Sequence, residues 1–157
     1  FRDFQRAIIA IQFPQLLPQV PIQAKMPPAW FKALRAAMLE DPMKSTNPEY
    51  THPSKTELRF KPLLRGILKM GIPRSNLRYL NKAGKAFGFH VENAYIENRA
   101  TKRALFITVG IYTNPNRIVN DNKYGYRAES GAMFMDLGKA VGAYLRGRNY
   151  FRAQTTQ

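Results

Sequence analysis

The chain has no cysteine among its 157 residues, which excludes disulfides and thiolate metal ligands. Its two histidines, His52 and His90, have no carboxylate at ligand spacing, so neither a metal nor another cofactor is expected. No apolar run approaches the roughly 20 residues that span a bilayer, so no transmembrane segment is expected. Acidic residues are scarce: 10 Asp and Glu face 25 Lys and Arg, for a formal charge of +15. That balance favours anionic partners and says nothing about fold. The chain begins at Phe1 with no charged, apolar and small-residue leader pattern, and is expected to be a processed or excised piece.

What is present reads first as helix. In "RDFQRAIIAIQF" at 2–13, Phe4, Ala7, Ile8 and Ile11 recur at helical spacing, and Pro14 and Pro18 cannot continue the run. An irregular linker is expected through Pro27, then a second helix opened by Pro27 and Pro28, with Trp30, Phe31, Leu34, Ala37 and Met38 as its stripe. "MKSTNPEYTHP" at 43–53 is turn-forming and aperiodic. Ser54 and Glu57 form a capping-box pattern for a third helix, which Pro62 kinks or delays and Gly71 with Pro73 ends.

The period changes at 87. Residues 87–97 and 103–113 predict an antiparallel hairpin, with Leu105, Ile107, Val109 and Ile111 alternating against Ala104, Phe106, Thr108 and Gly110. After the turn-rich "TNPNRIVNDNKYGY", the residues Phe134, Leu137, Val141, Tyr144 and Leu145 mark a closing helix of about five turns. The order is α+β: 1–78 mainly helical with Pro-rich linkers, 79–146 a C-terminal α/β part, and 147–157 a basic tail. With apolar residues on both sides of the hairpin, both faces need cover, and the sheet is expected to be part of a larger one.

Several chemistries can be weighed on spacing. "GKAFG" lacks the Ser or Thr after its lysine that a phosphate loop needs. Glu92 and Glu97 should point to opposite faces of a strand, so they do not form an acid–base pair, and solvated structural roles are expected for both. Cations and rings interleave in Arg74, Arg78, Tyr79, Lys82, Lys85 and Phe87, and again in Arg146, Arg148, Tyr150, Phe151 and Arg152. This is a pattern a nucleic-acid or polyanion binder could use.

"NKAG" at 81–84, the paired runs "FGFHVENAYIEN" and "RALFITVGIYTN", the loop "NPNRIVNDNKYGY" and the closing helix together resemble the end of the serine β-lactamase and penicillin-binding-protein superfamily. The likeness is nearest to class A β-lactamase-related serine hydrolases exported by bacteria, and "AIIAIQFPQLLP" at 7–18 is similar to the same branch.

This resemblance implies a β-lactamase/transpeptidase-like fold, an exported or periplasmic location, and a peptide-like or β-lactam-like substrate. It implies that Lys82 supplies a fixed positive charge for a substrate carboxylate and for proton transfer, as a buried lysine can. Gly84 would let substrate backbone approach the strand, and the Lys85 backbone N–H would be one oxyanion donor. Ala83 stands where the family has a Thr or Ser that helps hold the carboxylate. No Ser-x-x-Lys is present, because Ser45, Ser54, Ser75 and Ser130 are followed three residues on by Pro48, Glu57, Arg78 and Met133. The resemblance therefore implies a catalytically inert C-terminal portion whose partner is the preceding part of the same protein.

Overall fold

The computed structural model describes residues 1–17, 26–47, 49 and 57–147. Three ten-residue strands, β1 (Leu77–Ala86), β2 (Phe89–Asn98) and β3 (Arg103–Tyr112), form an antiparallel sheet in the order β1-β2-β3. The helices are α1 (Arg2–Gln12), α2 (Pro28–Leu39), α3 (Glu57–Phe60), α4 (Leu64–Lys69) and α5 (Glu129–Leu145). The architecture is α+β with a C-terminal helix, and among the described residues no helix is long and apolar enough to cross a membrane.

The strand boundaries correct two sequence expectations. Residues 87 and 88 are a hairpin turn, so β2 begins at Phe89 and not at 87; the strand before that turn, β1, joins the expected hairpin as a third strand with Lys82 in its interior. The reason is local: Phe87 at φ 50° and Gly88 at φ 90° have the paired positive φ values that turn a two-residue hairpin. A Cβ on Gly88 would also sit 2.6 Å from that of Asn114, so the position is closed to other residues twice over.

The expected double cover of the sheet is present. On one face Leu80 and Tyr95 pack with Ile8 of α1 and, at the margin, Phe13, Met38, Leu39 and Phe106. On the other, Tyr79, Ala94 and Ile96 join Leu63, Leu64 and Ile67 beneath Phe134, Val141 and Leu145 of α5. Helices α4 and α5 meet through Gly66 and Gly138, where a Cβ on either would collide with the facing backbone. Pro62 separates α3 from α4, as its ring and missing N–H require. Ser54 of the capping-box pattern lies outside the described residues; Glu57 is instead clamped by Arg74 through Nε at 2.8 Å and Nη2 at 2.5 Å.

Candidate functional site

The geometry of the β1 edge follows from the turn. Ala86 and Phe89 flank a two-residue loop and so exchange both backbone bonds. Alternation then turns the N–H and C=O of Lys85, Ala83 and Tyr79 outward, away from β2. The carbonyls confirm this parity: Lys61 Nζ donates to Tyr79 O at 3.0 Å and Lys82 Nζ to Ala83 O at 2.9 Å.

Lys82, Ala83, Gly84 and Lys85 therefore share one strand edge, with the Lys82 ammonium wrapped onto it and the Lys85 N–H facing out. Lys82 is exposed, and its side chain leaves the sheet on the face opposite α5. Gly84 is exposed as well, and a Cβ there would meet nothing within 4 Å. No described neighbour requires that glycine. Arg59, Phe60, Ala83, Gly84, Lys85 and His90 line a cavity of about 270 Å³ beside this edge.

Behind it lies a polar network that the sequence reading assigned to solvent. Glu92 is fully buried; its Oε1 accepts from the Tyr79 hydroxyl at 2.7 Å and its Oε2 from Asn81 Nδ2 at 3.2 Å. Burial pushes its pKa up to about 8 against the pull of these donors and of Lys61 and Lys82. Lys61, 2% exposed, reaches Asn81 Oδ1 at 3.2 Å and Met38 O at 3.4 Å besides Tyr79 O. Desolvation lowers its pKa. Glu92 and Glu97 do point to opposite faces, but Glu92 is a core residue. The signal was available: Tyr79, Asn81 and Glu92 are polar at positions whose alternation aims them into an apolar layer.

His90 is buried, with its ring 4.4 Å from that of Phe134. Its Nδ1 is 2.8 Å from Ser130 Oγ, and that hydroxyl donates to Tyr126 O at 2.8 Å. One hydroxyl hydrogen cannot serve both bonds, so Nδ1 carries the proton and Nε2 is a bare acceptor, without a partner among the described residues. Burial and the charge of Lys85 lower the His90 pKa to about 4, which keeps the ring neutral at pH 7. A serine–histidine pair is thus present, but Ser130 is fully buried and its hydroxyl is committed, so it offers no nucleophile.

The interleaved cations and rings do not assemble into one surface. Tyr79 is buried, Arg74 holds Glu57, and Arg78 turns to Gln12 at 3.3 Å, while Phe87 stands exposed at the hairpin tip. In the second group only Arg146 is described, donating to Met70 O; Arg148, Tyr150, Phe151, Arg152 and also His52 lie outside the described residues. Among the described residues no group of three or more His, Asp or Glu side chains could hold a metal ion. Comparison with models of known protein families, with curated proteins and with solved structures finds no match to this chain.

Proposed function

We propose that this chain is the C-terminal portion of a serine hydrolase of the β-lactamase and penicillin-recognising class, with β1 as its substrate-facing lysine strand. The observation that carries the reading is the outward edge at 82–85. A lysine ammonium, an outward N–H and a glycine facing open space occupy one stretch of unpaired strand.

In the complete protein an extended acyl substrate lies antiparallel to that edge, and Gly84 leaves room for its backbone. A serine from the preceding part attacks the substrate carbonyl, and collapse of the tetrahedral adduct breaks the carbonyl–nitrogen bond, the leaving nitrogen taking up the proton the serine gave to its base. The developing oxyanion accepts from the Lys85 N–H and from the serine's own N–H, donors fixed before the charge forms. The Lys82 ammonium attracts the substrate carboxylate; Ala83 adds no hydroxyl to that contact. Water then releases the acyl group, completing two easier steps in place of one.

The test is labelling of the full-length protein with an acylating β-lactam. Labelling is expected, with loss on Lys82→Ala and on Gly84→Val, and none in the isolated 157-residue chain. Turnover of a chromogenic β-lactam by the isolated chain, or a full-length protein without an upstream Ser-x-x-Lys, overturns the reading.

Ala83 favours a second reading within the same family, a catalytically degenerate member that binds peptidoglycan or a partner along this edge. Retention on peptidoglycan without acylation would select it. Retention on heparin that weakens steeply with salt would instead point to a general polyanion binder.

A further inference from the structure

On the α5 side of the sheet, opposite the Lys82 side chain, a cavity of about 490 Å³ opens between α3, α4, the end of β1 and the start of α5. That is the size range of a small-molecule site. Its charge is one-sided. Arg59, Arg65, Lys85 and Arg127 line it and no Asp or Glu does. Arg65, Lys85 and Arg127 form no ion pair among the described residues, whereas the cations at 74, 78 and 139 do. Arg65 and Arg127 are exposed, so their guanidinium groups are hydrated and available to a ligand.

The remaining wall is apolar or aromatic. Lys85 Nζ stands 5.9 Å from the centroid of the Tyr126 ring, and Phe134 and Met135 close the floor. His90 adds no charge at pH 7, because burial and the neighbouring Lys85 keep its ring neutral. Mutual repulsion of Arg59 and Lys85 is one reason the Lys85 pKa is lowered, after desolvation. An arriving anion offsets that repulsion.

We infer that this cleft is a binding site for a small organic phosphate, a dianionic phosphate ester with a compact apolar or aromatic body. A dianion matches several convergent cations better than a carboxylate does, and guanidinium groups grip phosphate oxygens in pairs. The ester's apolar part rests against Tyr126 and Phe134. This does not depend on the hydrolase reading, since acylation at the β1 edge and occupancy of this cleft are read by different probes.

The experiment titrates the chain with phenyl phosphate and follows the C–H resonance of His90, one of only two histidines. A saturable shift is expected. Arg65→Gln with Arg127→Gln should weaken binding at least about tenfold, which is about 1.4 kcal/mol. Lys32→Gln with Lys102→Gln removes the same charge from exposed sites away from the cleft and should cost less than about twofold by long-range attraction alone. Phenylacetate, with one negative charge, should bind more weakly than phenyl phosphate. Equal weakening in the two double variants reduces the effect to the overall positive field and overturns the site. So does the absence of a saturable His90 shift, and phenylacetate binding as tightly as phenyl phosphate overturns the assignment to phosphate.

Discussion

Along the outer edge of β1, backbone carbonyls meet cationic side chains: Leu77 O takes Arg74 Nη1 at 2.9 Å, Tyr79 O takes Lys61, and Ala83 O takes Lys82. Along the outer edge of β3 only the Ala104 carbonyl finds a described partner, the Tyr144 hydroxyl at 3.3 Å. Between Arg103 and Tyr112 that strand carries no charge, and its side chains are half-buried instead of buried like those of β2. A long, apolar, unpaired edge invites another strand, whereas an edge studded with ammonium and guanidinium groups repels one. The difference teaches that the outer edge of β1 is guarded by cations and that of β3 is not. Under the proposed function, β1 faces substrate and β3 takes the sheet's next strand from the rest of the enzyme.

The largest expected effect tests how the β1 edge is guarded. Lys61→Ala strips a donor from Tyr79 O, Asn81 Oδ1 and Met38 O in a buried setting, and should cost about 3–5 kcal/mol in urea unfolding. A loss below about 1 kcal/mol would mean that the lysine is an ornament of that edge.

Next comes the pH dependence of the network behind it. The folded pKa of Glu92, about 8, lies above its ordinary value of 4.5, so the folded state holds a proton that the unfolded state releases. The resulting stabilisation is complete below about pH 4.5 and disappears as pH rises through 8. His90 acts oppositely: its folded pKa of about 4 lies below 6.5, so stability rises with pH between those values. The two partly cancel up to about pH 6.5, above which Glu92 acts alone and stability should fall by on the order of a few kcal/mol by pH 8. Glu92→Gln should flatten that upper limb in urea midpoints measured from pH 6 to 9, and an unchanged limb refutes the assignment.

The β3 edge gives a smaller energetic effect with a clear readout. The chain should self-associate with rising concentration in sedimentation experiments, and Val109→Lys should abolish this at a cost of about 1 kcal/mol in stability. The matched change Ala83→Lys on β1 should leave association unaltered; equal effects at both edges would erase the contrast. Smallest of all, Gly84→Ala should leave stability unchanged or raise it by up to about 1 kcal/mol, because the new methyl meets nothing and the unfolded chain loses freedom. A clear loss would show that Gly84 serves the fold and not an incoming strand or substrate.

Much of the fold is legible in the residues because its signals are local. The apolar spacing of 2–13 sets α1, Pro28 opens α2, Pro62 divides α3 from α4, and strict alternation at 104–111 sets β3. The boundary at 87 was misread because Phe is an uncommon residue at positive φ; the strand pairing on either side holds it there. Lys61 gave no sign of burial, since a lysine one residue before a proline looks like surface. What buries it are carbonyls and an amide contributed from 38, 79 and 81. Lys82, Gly84 and Lys85 were singled out by the family resemblance, but which faces outward depends on pairing with β2.

By itself the sequence determined the helices and the β2–β3 hairpin, the need to cover both faces of the sheet, and the excess of positive charge, because periodicity, proline and composition act over a few residues or over the whole chain. Only the tertiary structure decided that Glu92 is buried beside Tyr79 and Asn81, that His90 keeps its proton toward Ser130, that four cations line one cleft, and that one outer sheet edge carries cations while the other does not. Those are meetings of residues distant along the chain, and they are fixed by strand register and helix packing.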